Sequence, residues 1–217
     1  TSAITPGQYE LFSYGSLNTT LYVDKITTVT IVAPADSPYA DLIDVAGSRV
    51  IDVIGETKVK LDVVGTASAF WGDGVAAADW SIAANWLDST APSTTTAAIV
   101  DSSVNSVPNL AALGDAHTLI VDGASATVDV GGALTVANNT HVMNGATLGV
   151  DGDLLSRGNT SVYFGGVLNV GGALTLNDDK NLSSAGTTVI NGSLALNPID
   201  GTAGNLNVTD GVTTLGA

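Results

Sequence analysis

The chain has 217 residues, of which 45% are apolar and only 12% charged, with 25 glycines and no cysteine. Six Lys+Arg stand against 21 Asp+Glu, a formal charge of −15, which repels phosphate backbones and sets nucleic acid aside as a partner. The composition is too apolar for a disordered chain. The lack of cysteine rules out a disulfide scaffold and any thiolate metal site, and no run reaches the roughly 18 apolar residues of a transmembrane helix.

The sequence opens on Thr1 without an initiator methionine or a signal peptide, so the expectation is a trimmed piece of an exported precursor. Residues 1–66 read as short strands: Leu17–Val23, Ile26–Val32, Leu42–Val45, Arg49–Ile54 and Val59–Val64. A short echo runs through them, in Ile43-Asp44-Val45-Ala46-Gly47, Ile51-Asp52-Val53-Ile54-Gly55 and Leu61-Asp62-Val63-Val64-Gly65. It fits either a meander or irregular solenoid turns. Pro34–Tyr39, with two prolines, is a loop. This part is expected to be a separate β domain or a cap on the C-terminal repeats, because the end coil of a repeat stack otherwise exposes core and strand edges. Its strands are the expected subunit contacts.

Residues 67–107 hold all three tryptophans, Trp71, Trp80 and Trp86. Ala76–Leu87 is expected to make a helical turn or two, since Trp80, Ala83/Ala84 and Leu87 would share a face. Two readings of the indoles stand side by side: a platform for stacking sugars, or filling for a core or cap.

Residues 108–217 carry the chain's main signal. Gly131-Gly132-Ala133-Leu134-Thr135-Val136, Asp151-Gly152-Asp153-Leu154-Leu155-Ser156, Gly171-Gly172-Ala173-Leu174-Thr175-Leu176 and Asn191-Gly192-Ser193-Leu194-Ala195-Leu196 recur at 20-residue intervals. A fixed period of this length is the mark of a repeat architecture. Apolar residues alternate with Thr, Asn, Gly or Ala, which is strand periodicity with one face buried. Gly, Asn or Asp then supplies corners that tolerate positive φ. The pattern therefore predicts an all-β, parallel β-solenoid of about 20 residues per coil with successive coils roughly 4.8 Å apart, ahead of an antiparallel sandwich of hairpins. Leu134, Leu154, Leu174 and Leu194 should form one internal ladder, and Val130, Val150, Val170 and Ile190 a second. Val142, Val162 and Leu182 are expected as a third column, and Asn139, Asn159 and Asp179 as a stacked polar corner. From Pro198 to Ala217 the spacing slips and no polar cap is evident, so the chain is expected to continue or to be covered there by another molecule.

The order Trp71-Gly72-Asp73-Gly74, Asp79-Trp80-Ser81-Ile82-Ala83-Ala84-Asn85-Trp86, Ala91-Pro92, Ala97-Ala98-Ile99-Val100-Asp101 and Val107-Pro108-Asn109-Leu110, followed by repeats of the Gly-Gly-Ala-Leu-Thr-Val type, resembles bacterial autotransporter passengers and related exported β-helical surface proteins. The resemblance covers roughly residues 70–196. It implies a right-handed β-helix displayed outside the cell, and it speaks to architecture and export rather than to an activity.

Chemistry is sparse along the chain. Asp44, Asp52 and Asp62, Asp151 with Asp153, and Asp178 with Asp179 are the available carboxylates for acid–base work. In a strand-and-turn chain such residues belong at corners and on solvated faces. Hard oxygen ligands suit Ca²⁺, which makes Asp44, Asp52, Asp62, Asp151 and Asp153, with Asp122, the candidate calcium ligands; no other cofactor is expected. Neither the EF-hand loop nor the calcium-binding nonapeptide repeat occurs. His117 and His141 are 24 residues apart, Arg157 and Lys180 are isolated, and no G-x-S-x-G elbow is present. The reading is a non-enzymatic extracellular structural or adhesive protein of the bacterial cell surface, an acidic β-solenoid that self-assembles into a layer, appendage or fibre. The alternatives are a glycan-binding adhesin module that contacts a host surface, or a phage tail-fibre or carbohydrate-active β-helix.

Overall fold

A computed structural model describes residues 7–13, 38–53, 58–66, 68–71, 80–86, 89–101, 109–110, 114–177, 180–197, 206–208 and 212–215. The chain divides into two compact units between Ser68 and Ala69. The first contains β1 (Gly7–Ser13), β2 (Ile43–Val53) and β3 (Lys58–Gly65), hydrogen-bonded in the order β1-β3-β2. Both pairings are antiparallel, so the short echo in this region belongs to an antiparallel sheet with β3 at its centre, which is neither a simple meander nor a set of coils. A 3-10 turn, Pro38–Leu42, leads into β2. The expected strands at 17–23 and 26–32 lie outside the described residues.

The second unit is a parallel β-solenoid. Each regular coil gives one strand to each of three sheets. Sheet one stacks β7 (Gly114–Ala116), β10 (Leu134–Val136), β13 (Leu154–Ser156), β16 (Leu174–Asn177) and β19 (Leu194–Asn197). Sheet two stacks β4 (Ser68–Phe70), β5 (Ala97–Asp101), β8 (Leu119–Asp122), β11 (Thr140–Met143), β14 (Thr160–Val162), β17 (Leu182–Ser184) and β20 (Leu206–Val208). Sheet three stacks β6 (Asn109–Leu110), β9 (Thr127–Val130), β12 (Thr147–Val150), β15 (Val167–Val170), β18 (Thr187–Ile190) and β21 (Val212–Leu215).

Leu134, Leu154, Leu174 and Leu194 pair in direct register across sheet one. Val130, Val150, Val170 and Ile190 do the same across sheet three. All but Leu194 are buried, and Leu194 packs half-buried against the same core. Side chains of like shape stacked one strand spacing apart fill the interior without needing long-range complementarity, which is why the pattern repeats so plainly.

The three corners of a coil are built differently. Between sheets three and one, each glycine N–H donates to the glycine carbonyl one coil earlier: Gly152 to Gly132 at 3.0 Å, Gly172 to Gly152 at 2.9 Å and Gly192 to Gly172 at 3.1 Å. Positive φ is not the reason for glycine here. A Cβ on Gly152 would lie 2.8 Å from the Gly132 carbonyl, so close approach excludes any side chain. Positive φ occurs instead between sheets two and three, at Gly123, Asn144, Gly145 and Gly165.

Between sheets one and two runs an asparagine ladder. Asn159 N–H donates to Asn139 Oδ1 at 2.7 Å, and Asn181 N–H to Asn159 Oδ1 at 2.9 Å. The expected third rung, Asp179, lies outside the described residues, and Asn181 occupies that rung. Val142 and Val162 of the expected third column pair in register, but the same corner displaces its last member. Thr160 pairs with Leu182 and Val162 with Ser184, an offset of 22, whereas Val167 pairs with Thr187 at the ordinary offset of 20. Two extra residues at one corner are thus balanced by two fewer at the next. Leu182 therefore stacks on Thr160 and not on Val162.

Candidate functional site

The three tryptophans form one packed group around Trp86. Trp71 N–H donates to the Ile99 carbonyl at 2.9 Å, and Trp71 forms an antiparallel bridge with Trp86. The Trp86 ring meets Trp71 edge-to-face at 5.1 Å and Trp80 edge-to-face at 5.0 Å, and its indole N–H donates to the Trp80 carbonyl at 2.8 Å. The local backbone is a single 3-10 turn, Ala83–Asn85, closed by extended Trp86. Of the helical turn or two expected over Ala76–Leu87, this one turn is formed within residues 80–86, and the Trp71 bridge holds Trp86 extended after it; residues 76–79 and Leu87 lie outside the described residues.

Relative exposure is 2% for Trp71, 2% for Trp80 and 1% for Trp86. A sugar platform needs an open ring face, and none of the three has one. The indoles fill the core beneath the first strands of sheet two, which corrects the glycan-platform reading of these residues.

The outer face of sheet two carries a feature that the 20-residue period did not reveal. Ile99, Ile120 and His141 form one register column, and alternation along a half-buried strand would expose all three. They are 1%, 0% and 5% exposed. The column continues as Ser161, Ser183 and Asn207. Sheet two is therefore buried on both faces at its early rungs and polar on its outer face further along. The unbroken apolar runs Ala97-Ala98-Ile99-Val100 and Leu119-Ile120-Val121 are the signal that could have shown this, since doubly buried strands lose their alternation.

His141 meets Tyr163, whose hydroxyl lies 3.3 Å from Nδ1 with the rings 6.0 Å apart. His117 stands apart from it, at a half-buried corner with Nδ1 3.2 Å from the Thr118 hydroxyl. The two histidines do not form a pair.

Inside the solenoid a small set of hydroxyls interrupts the apolar columns. Thr140 and Ser156 share a hydrogen bond of 3.2 Å, and Ser184 and Thr188 one of 3.0 Å. Thr160 Oγ1 is buried and meets no partner among the described residues.

The candidate calcium ligands separate. Backbone register sets Asp44 opposite Val64, Asp52 opposite Val59 and Asp62 opposite Arg49, all within the first unit. Asp151 and Asp153 are exposed on the glycine corner of the second unit, and Asp153 Oδ1 accepts the Ala173 N–H at 2.8 Å. That carboxylate is a rung of the stack. Asp122 Oδ1 accepts Asn144 Nδ2 at 2.6 Å on a different corner. Among the described residues no three acidic or imidazole side chains converge on a position for a metal ion. Asp178 and Asp179 lie outside the described residues.

The fold thus defines a parallel β-solenoid protein whose side chains are organised as ladders. Comparison with protein-family models, curated proteins and solved structures finds no match in any of the three. No helix among the described residues is long and apolar enough to cross a membrane.

Proposed function

We propose that this chain is an extracellular structural protein of the bacterial cell surface, a β-solenoid that associates with further copies of itself in a layer, appendage or fibre. The observation that carries the reading is the continuity of the stack. Corner residues bond to the coil beside them, as Gly152 does to Gly132 and Asn159 to Asn139. Their polar groups are committed to holding coils together. The charge of −15 supports an exposed setting, where it keeps a β-rich surface soluble.

Self-association is read from the sheet edges. In the three-stranded sheet, β1 and β2 each have a neighbour on one side only among the described residues. Such edges are templates for strand addition by a second copy.

Sedimentation velocity over a concentration series, with negative-stain microscopy of the same samples, tests the reading. Growth into regular assemblies is the expected result. Monomers throughout the series would remove self-association. Release of reducing ends from a polysaccharide panel would replace the structural reading with an enzymatic one.

A further inference from the structure

The sequence contains two Asn-Gly pairs, Asn144-Gly145 and Asn191-Gly192. As short peptides they would behave alike, because a glycine leaves its own amide nitrogen sterically free to attack the carbonyl carbon of the preceding asparagine side chain. The solenoid sets them in different surroundings. We infer that Asn144 is a site of spontaneous deamidation in the folded protein and that Asn191 is protected from it by the glycine ladder.

At Asn191 both nitrogens that matter are engaged. Asn191 N–H donates to the Val170 carbonyl at 2.8 Å, and Gly192 N–H to the Gly172 carbonyl at 3.1 Å. Gly192 is also so close to the preceding coil that a Cβ would lie 2.5 Å from the Gly172 oxygen. The nucleophilic nitrogen cannot swing toward the side chain without breaking a rung.

At Asn144 the chain makes a two-residue turn between sheets two and three. Asn144 has φ 54° and Gly145 φ 86°, the pair of left-handed conformations that an Asn-Gly type I′ turn requires. The turn is closed by Ala146 N–H donating to the Met143 carbonyl at 3.0 Å. Asn144 is exposed. Gly145 N–H donates to no acceptor among the described residues, so no rung ties it down. Among the described residues, the one hydrogen bond to the side chain is that from Nδ2 to Asp122 Oδ1 at 2.6 Å. Opening this turn therefore breaks a local closure and a surface hydrogen bond, whereas freeing Gly192 breaks the stack, and local openings of the first kind are the cheaper.

The step is balanced with water as the only co-reactant. Gly145 N attacks Asn144 Cγ and gives its proton to solvent base. The Cγ–Nδ2 bond breaks, and ammonia leaves with a proton from water. Water then opens the cyclic imide at either carbonyl, giving aspartate or isoaspartate at position 144. Either product sets a carboxylate against Asp122, which is in register with Asp101 on the adjacent strand. A hydrogen bond of 2.6 Å is thereby exchanged for like-charge repulsion.

The test is incubation of the intact protein at mildly alkaline pH, followed by proteolysis and mass spectrometry of the peptides holding each asparagine, with a parallel sample kept unfolded in denaturant. In the folded sample the one-dalton gain should accumulate at position 144 about tenfold or more faster than at 191. In denaturant the two should react at comparable rates, which assigns the difference to the fold. Equal conversion at both sites in the folded protein, or faster conversion at 191, overturns the inference. So does an intact Asn144 in folded protein while the unfolded control reacts.

Discussion

Gly172 sits so directly over Gly152 that a methyl group on it would lie 2.9 Å from the carbonyl carbon and oxygen beneath, while its own N–H donates to that oxygen at 2.9 Å. The contact and the hydrogen bond are the same approach seen twice. Neither residue has φ in the left-handed region, so the column is set by distance between coils.

Gly172→Ala should accordingly push two coils apart at one corner. Overpacking of a tight contact costs about 1–3 kcal/mol, read as a lower midpoint in thermal or urea unfolding followed by circular dichroism. A variant that melts like the parent would mean that this corner is not closely stacked.

Leu154 and Leu155 are adjacent on β13, one buried at 0% exposure and the other half-buried on the outer face. Leu154→Ala removes a rung of the internal ladder and should cost about 2–5 kcal/mol. Leu155→Ala should cost clearly less. Urea titration of the two variants side by side checks the facing of every strand in sheet one, and equal losses would contradict it.

Thr160 holds a hydroxyl in the core with no partner among the described residues. An unsatisfied buried polar group costs about 1–3 kcal/mol, so Thr160→Val, of nearly the same shape, should leave the protein as stable or raise its melting temperature. Thr140→Val is the contrasting variant, because it takes away the 3.2 Å bond to Ser156 and should not stabilise.

Trp86→Ala should cost about 3–5 kcal/mol as a buried aromatic truncation, since it removes both edge-to-face contacts and the indole bond to the Trp80 carbonyl. Intrinsic fluorescence reports it. The parent should emit at short wavelength as buried indoles do, and the variant should shift toward the red as Trp71 and Trp80 gain water. Red-shifted emission from the parent itself would return the indoles to the surface.

The sequence alone yields the solenoid, the period and two of its internal ladders. The reason is that a stacked coil repeats one local problem, and each solution leaves the same residues at the same spacing: Leu134, Leu154, Leu174 and Leu194 in one column, Val130, Val150, Val170 and Ile190 in another. The asparagine ladder is legible for its first two rungs, Asn139 and Asn159. The candidate site is much less so. Composition marks the tryptophans as notable without saying whether they face inward, and the meeting of His141 with Tyr163 joins residues 22 apart across two coils.

What only tertiary structure decides is the register beyond an insertion and the burial of a strand's second face. A slip of two residues leaves every side chain on its original face, so hydrophobic pattern cannot tell whether Val162 stacks on Leu182 or on Ser184. Hydrogen bonding along sheets two and three chooses Ser184, with the corners absorbing the difference. In the same way Ile99, Ile120 and His141 lie buried where alternation would expose them. Periodicity records which way a side chain points, but what covers it is settled only when the chain is packed.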